Sequence, residues 1–210
     1  MFSEPKRPEI DEHTIKLIIG IIALTLANLT SFFSPDGLQS ISDSYHKGYW
    51  SRDIFVGFLF AIFALLLAYN GKTGMEKILG RIAACTALLV AMFPCECVTH
   101  TEIIPHVHGI SAAIMFVILA FFCHAFFKRA RSKDYPQAKV RSYIYAICGV
   151  TIVTVILILG ADHFIKFGIE KLTFYGERSG LIAFGVSWLT ASRVLPFITR
   201  KDERNSLLSN

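Results

Sequence analysis

Residues 109–127 read GISAAIMFVILAFFCHAFF and contain no Asp, Glu, Lys or Arg. At a rise of ~1.5 Å per residue, a helix of this length covers most of the ~30 Å hydrocarbon core of a bilayer. Five other apolar stretches come close to the same length: 17–33, 54–70, 78–95, 143–161 and 180–195. The sequence therefore predicts an all-α, polytopic membrane protein, with six transmembrane helices forming a single domain over residues 1–210.

The distribution of basic residues predicts how such a bundle is oriented. Lys and Arg are concentrated in segments 72–81, 128–141 and 193–204, whereas the connection 94–108 has neither. Basic residues in short loops favour the cytoplasmic side. Six spans then place both termini in the cytoplasm of a multi-pass cell-membrane protein, and a bacterial inner membrane is favoured.

The same charge pattern bears on partners. The net charge of +5 does not predict nucleic-acid binding, because the basic residues follow the membrane edges and form no stripe on a soluble helix. Membrane lipid is the expected partner. Segment 128–141 is interpreted mainly as a topology signal, and attraction of anionic lipid at the inner leaflet is the alternative.

Side chains that can take part in catalysis or metal binding are concentrated on the predicted outer side. Five of the seven histidines fall there, together with several carboxylates. Imidazoles and carboxylates near helix ends can bind metal or transfer protons. The candidates are Asp53 and Glu177 as catalytic groups, Arg52, His46 and His108 as ligand-binding groups, and His46 and His108 as metal ligands.

Each candidate also has a structural interpretation. Asp53 stands where the second span begins and is predicted to stabilise the N-terminus of that helix. The pair His106 and His108 is a weak zinc signal unless a third ligand joins it. Cys95, Cys97 and His100 make a soft-metal site conceivable, with free cysteines as the alternative.

Two further features complete the outer side. Apolar residues recur near helical spacing over residues 164–175, which predicts a short amphipathic helix on the membrane surface; an apolar connector packed on the rim of the bundle is the alternative. Ser42 and His46 would lie one helical turn apart if their loop were helical. The sequence has no Walker A loop, no His-Glu-x-x-His and no Gly-x-Ser-x-Gly motif.

A set of motifs is spread over most of the chain: 40–46, 52–57, 66–71, Phe93-Pro94, His108 with 111–113, 145–149, and Glu177 with 183–189. In their order and spacing, these motifs resemble a family of small bacterial membrane proteins. It is the domain-of-unknown-function family nine hundred and ninety-eight, grouped with the Frag/DRAM/Sfk-like membrane proteins. The resemblance implies a six-helix membrane fold and adds weight to Arg52, Asp53, His108 and Glu177.

A remoter similarity is to the alkaline-ceramidase-like membrane hydrolases, which hold zinc with an early Ser-x-x-x-His, an Asp and a late pair of histidines. Ser42 and His46 match the first element and Asp53 matches the Asp, but the late pair is missing from the final span.

Three functions are therefore open. The first is a membrane protein that binds a lipid or small polar ligand at the outward His/Asp/Glu cluster. The second is a zinc-dependent membrane hydrolase of a lipid amide or ester, in which zinc would activate water. The third is a scaffold whose outer polar residues only solvate loops.

Overall fold

The computed structural model describes residues 11–96 and 103–204 of the chain. This part is all-helical, which confirms the all-α part of the predicted fold class. It contains a short 3₁₀ helix, Lys201–Glu203, and seven α-helices: α1 (Glu12–Phe32), α2 (Ser44–Lys47), α3 (Tyr49–Ala68), α4 (Gly74–Met92), α5 (Val107–Arg131), α6 (Pro136–Ile165) and α7 (Leu172–Ala191).

Each predicted span overlaps one of the six long helices. Within the described residues, four of them are long and apolar enough to cross a membrane: α1, α3, α5 and α6. Helices α4 and α7 fall outside this set, and both carry charged residues, such as Glu76 and Arg81 in α4 and Glu177 in α7. Four apolar helices are compatible with a membrane protein, and the count of six spans stays a prediction.

Helices α1 and α4 begin earlier than the apolar stretches because polar side chains cap their starts. The Asp11 carboxylate accepts a hydrogen bond from the Thr14 amide before α1, and the Thr73 hydroxyl accepts one from the Glu76 amide before α4. The apolar stretch marks only the part of a helix that suits hydrocarbon.

Two local predictions are wrong. Helix α3 begins at Tyr49, after Gly48 at φ 73°, so Asp53 lies inside the helix and does not cap it. Residues 164–175 form no separate helix: α6 continues to Ile165, and the chain then breaks at Lys166 (φ 57°) and Gly168 (φ 71°) before α7. The Asp162 carboxylate accepts a hydrogen bond from the Phe167 amide and so stabilises this break.

The long helices pack in a closed ring in the order α1, α3, α4, α5, α6, α7 and back to α1. The ring has two ends. We call one the basic end: it contains the start of α1, the α3–α4 and α5–α6 connections and the end of α7. We call the other the histidine end: it contains α2, the α4–α5 connection and the start of α7. The His13 ring contacts the Ala191 carbonyl oxygen at 3.4 Å, so the chain enters and leaves the bundle at the basic end.

Helices α1 and α7 approach closely at two glycines. A Cβ added to Gly20 would lie 2.8 Å from the Leu189 amide nitrogen, and one added to Gly185 would lie 2.6 Å from the Leu24 Cγ. Small residues of this kind let helix backbones pack tightly.

The aromatic core surrounds Trp188, which is fully buried. Its ring lies 5.2–5.9 Å from the rings of Tyr69, Phe122, Phe126 and Phe184. Phe126 also lines a cavity at the basic end, so the core forms one wall of that cavity.

Candidate functional site

The two predicted histidine ligands meet the same short segment at the histidine end. The His46 Nε2 lies 2.8 Å from the Cys95 carbonyl oxygen, and the His108 Nδ1 lies 2.7 Å from the Phe93 carbonyl oxygen. A carbonyl oxygen only accepts, so both ring nitrogens must carry the hydrogen. A metal would therefore have to bind the other nitrogen of each ring. In this arrangement the imidazoles hold the end of α4 against α2 and α5.

Glu177 holds a different loop. Its carboxylate accepts hydrogen bonds from the Ile41 amide at 2.5 Å and from the Ser42 hydroxyl at 3.4 Å. Burial raises the pKa of the Glu177 carboxyl to about 7, because these hydrogen bonds offset it only in part, and nearby Asp43 adds to the rise. Glu177 lies before residue 180, where the predicted sixth span begins.

This environment gives a pH-dependent stability. A carboxyl whose pKa is raised on folding stabilises the protein at low pH, and the contribution is lost as the pH rises from about 4.5 through about 7. Since Glu177 is only partly buried, we expect a loss on the order of 2 kcal/mol. Glu177→Gln should remove this pH dependence, measured by unfolding in mixed micelles from pH 5 to pH 8. Exposed Glu170→Gln is the control, and an unchanged profile for Glu177→Gln would contradict the assignment.

Arg52 and Asp53 lie on the surface. Their side chains form an ion pair at 3.4 Å and are 50% and 64% exposed. Ser42 contacts Ser40 and Glu177 through its hydroxyl. The predicted outer cluster is thus divided: Glu177 binds the loop before α2, the histidines bind the α4–α5 connection, and Arg52 and Asp53 pair with each other.

Cys97 and His100 lie outside the described residues. In residues 11–96 and 103–204, no three His, Cys, Asp or Glu side chains are grouped as a metal site requires. His106 has a left-handed backbone (φ 65°) immediately before α5.

A cavity of about 180 Å³ lies at the basic end, away from every predicted site residue. Phe126, Ala130, Ser132, Tyr145 and Ala191 form part of its wall. Its other lining residues are basic, and they come from α1, α5, α6, the two connections at this end and the segment after α7: His13, Lys16, Lys72, Arg129, Lys133, Arg141 and Arg193.

Three carboxylates are paired with most of these cations. Glu12 bridges Lys16 (3.3 Å) and Lys72 (3.2 Å), and Glu76 pairs with Arg129. The third, Glu203, pairs with Lys133 and Arg141. Counted over the described residues, six Lys and Arg side chains against these three carboxylates leave an excess of three positive charges.

Arg193 differs from the other five basic side chains. Among the residues that the structure describes, it forms no ion pair, although it lines the cavity. Its backbone is left-handed (φ 59°), where the chain turns after α7. Arg193 lines the cavity, and its positive charge helps to lower the pKa of the Glu203 carboxyl. Arg193 therefore supplies a positive charge that no described carboxylate holds in a direct ion pair.

The Glu203 carboxylate is an anion of the protein itself that is bound at the cavity rim. Its carboxylate accepts hydrogen bonds from Lys133 Nζ, from the Tyr135 hydroxyl at 2.5 Å and from Arg141 Nη2 at 3.0 Å. Burial acts to raise the pKa of Glu203, but these donors outweigh it and lower the pKa to about 2. The rim therefore binds a carboxylate strongly in its ionised form.

The sequence alone does not predict this cavity, because membrane topology is a sufficient explanation for the basic residues of segments 72–81, 128–141 and 193–204. A signal was present nonetheless: Glu12, Glu76 and Glu203 lie among the basic residues, where topology does not require carboxylates.

No family model matches the chain, and neither the curated proteins nor the solved structures contain a significant match. The resemblance to membrane families described above stays a prediction.

Proposed function

We propose that the protein is a six-span membrane protein with both termini in the cytoplasm, and that it binds an anionic ligand in the basic cavity at its cytoplasmic end. The ligand carries a phosphate or carboxylate group. This proposal keeps the lipid or small polar ligand expected from the sequence but moves its site to the opposite end of the bundle.

The observation that carries the proposal is the set of hydrogen bonds that the Glu203 carboxylate accepts at the cavity rim. Three donors from two elements converge on one carboxylate, and charge-assisted hydrogen bonds of this kind are about twice as strong as neutral ones. The same rim continues into a cavity with excess positive charge. A basic pocket between helices at the cytoplasmic face suits an anionic headgroup.

Arg193 and Lys16 extend the recognition into the cavity. Arg193 presents a planar guanidinium that can bind a phosphate with two parallel hydrogen bonds. Lys16 is 4% exposed, and its ammonium lies 5.2 Å from the centre of the Tyr69 ring. An anion between these groups would be largely removed from water. Its attraction to the cations is stronger there than in water, because the local dielectric constant is lower.

The alternative function, a zinc-dependent membrane hydrolase, has less support. No contact among the described residues favours it, since the Glu177 carboxylate is bonded to loop 41–42 and Asp53 is paired at the surface.

Binding of inorganic pyrophosphate to the full chain in non-ionic detergent tests the proposal. We expect Arg193→Gln to weaken binding about tenfold, because it removes one charge-assisted hydrogen bond of roughly 1.5 kcal/mol. Titration calorimetry gives the dissociation constant directly.

Arg131→Gln is the matched control. Arg131 is exposed at the same end of α5, and it does not line the cavity. The control should change the dissociation constant less than twofold. Equal effects of the two substitutions, or no measurable binding by the unmodified protein, would contradict the proposed site.

A further inference from the structure

A second cavity of about 370 Å³ lies as a groove between α5 and α6. Ala146 and Gly149 of α6 and Ala120 of α5 are small residues in its lining. Phe127, Val150 and Val153 contribute apolar surface, and His124 contributes a polar ring. The helices approach closely here, because a Cβ on Gly149 would lie 3.3 Å from the Cys123 Cβ. Small side chains between larger ones therefore form a channel along the helix pair.

The groove lies on the flank of the bundle. Val150 is 67% exposed and Val153 is 46% exposed, although both are apolar. Helices α5 and α6 are among the four that are apolar enough to cross a membrane. In a bilayer, this face of the pair contacts hydrocarbon and not water.

The groove and the basic cavity share Tyr145 in their linings. The Tyr145 ring packs on Phe126, whose centroid is 5.5 Å away, and Phe126 also lines the basic cavity. From Tyr145, the groove continues along α6 to Thr154, nine residues further. At ~1.5 Å per residue this is roughly 13 Å, close to half of a ~30 Å hydrocarbon core.

We infer that the anionic ligand is a membrane lipid, whose headgroup occupies the basic cavity and one of whose acyl chains lies in the α5–α6 groove. This inference rests on the proposed function and adds the class of ligand. The charge excess selects an anionic headgroup. The groove starts where the headgroup site ends, and its length along α6 is close to the thickness of one leaflet. An acyl chain would therefore fit the groove, whereas a free phosphate has no apolar part to place in it.

The test compares two probes on the full chain in non-ionic detergent micelles. One is dioleoyl phosphatidylglycerol, a phosphodiester, and the other is glycerol 1-phosphate, a phosphate monoester that has no acyl chain. Ala146→Phe fills the groove, and Ile147→Phe adds the same ring at a neighbouring position that is 67% exposed and outside the groove. Native mass spectrometry measures lipid retention, and calorimetry measures glycerol 1-phosphate binding.

We expect Ala146→Phe to weaken phosphatidylglycerol binding at least tenfold and to leave glycerol 1-phosphate binding unchanged. Ile147→Phe should change neither. Val153→Phe is a second groove variant, at a more exposed position, in case Ala146→Phe does not fold. Dioleoyl phosphatidylcholine should bind at least tenfold more weakly than phosphatidylglycerol.

The two hypotheses fail in different ways. If both groove variants bind phosphatidylglycerol like the unmodified protein, or if that lipid binds no more tightly than glycerol 1-phosphate, the lipid inference is overturned while the anion site stands. If Arg193→Gln weakens neither probe, the proposed function itself is overturned, and the lipid inference with it.

Discussion

Replacing Arg129 with Gln should destabilise the bundle by about 3 kcal/mol, because it leaves the Glu76 carboxylate buried without its cation. Glu76 is 2% exposed and lies at the start of α4. Burial acts to raise its pKa, but the hydrogen bond and charge of Arg129 outweigh it and hold the pKa below the ordinary value. Unfolding in mixed micelles at pH 7 measures the loss.

The remaining contacts of Glu76 explain why the loss should not be larger. Its carboxylate also accepts hydrogen bonds from the Tyr69 hydroxyl and the Lys72 amide, both at 3.3 Å. Gly71 allows this tight turn: its φ is 68°, and an added Cβ would lie 2.6 Å from the Glu76 Cβ. The carboxylate is therefore held by the α3–α4 turn even when Arg129 is absent.

A double-mutant cycle separates the ion pair from other effects. Glu76→Gln combined with Arg129→Gln should be more stable than Arg129→Gln alone, since no buried charge is left unpaired. Arg131→Gln, two residues further along α5 and exposed, should have little effect. If Arg129→Gln is as mild as Arg131→Gln, the Glu76 carboxylate does not depend on this partner.

The helices were predictable because hydrophobic periods and stretches are local properties. The stretch 109–127 lies wholly inside α5, and 143–161 lies wholly inside α6. Their ends were less predictable. The helix start at Tyr49 depends on the backbone at Gly48, and the break after Ile165 depends on the Asp162 carboxylate.

The basic cavity was not predictable because it is built from contacts between distant parts of the chain. Arg129 and Glu76 are 53 positions apart, and Lys133 and Glu203 are 70 positions apart. A single sequence shows the charges but not which of them meet. At the histidine end, the assignment of residues to one side of the bundle did predict which groups lie near each other. His46 and His108 contact the same short segment, although the predicted partner Asp53 pairs with Arg52.

Glu203→Gln should release the segment after α7 from the bundle and make it about thirtyfold more sensitive to proteolysis, since each ~1.4 kcal/mol is a factor of ten in the open population. Glu203 is the ionic partner of Lys133 and of Arg141, which is 4% exposed at its side chain. Removing the carboxylate weakens the attachment of the 3₁₀ helix to the bundle by about 2 kcal/mol. The loss is smaller than for a fully buried ion pair because the site borders solvent. Limited proteolysis in detergent at pH 7 measures the change.

The same contact predicts a defined pH response. A carboxylate whose pKa is lowered on folding stabilises the protein above its ordinary pKa, and this contribution is lost as the pH falls from about 4.5 through about 2. The segment of the unmodified protein should therefore become accessible in this window, measured by hydrogen exchange, which unlike proteolysis can be followed at pH 3. Glu203→Gln should already be accessible at pH 7 and should change little on acidification.

Asp202→Gln is the matched control, because Asp202 belongs to the same 3₁₀ helix but pairs only with exposed Arg200. It should leave the segment protected at pH 7. The Arg141 guanidinium keeps hydrogen bonds to the Ile198 carbonyl and the Tyr135 hydroxyl after Glu203→Gln, so the cavity wall itself should persist. A segment that stays protected in Glu203→Gln would mean that these neutral contacts alone hold it. Glu203 would then not be the anion that the basic rim retains.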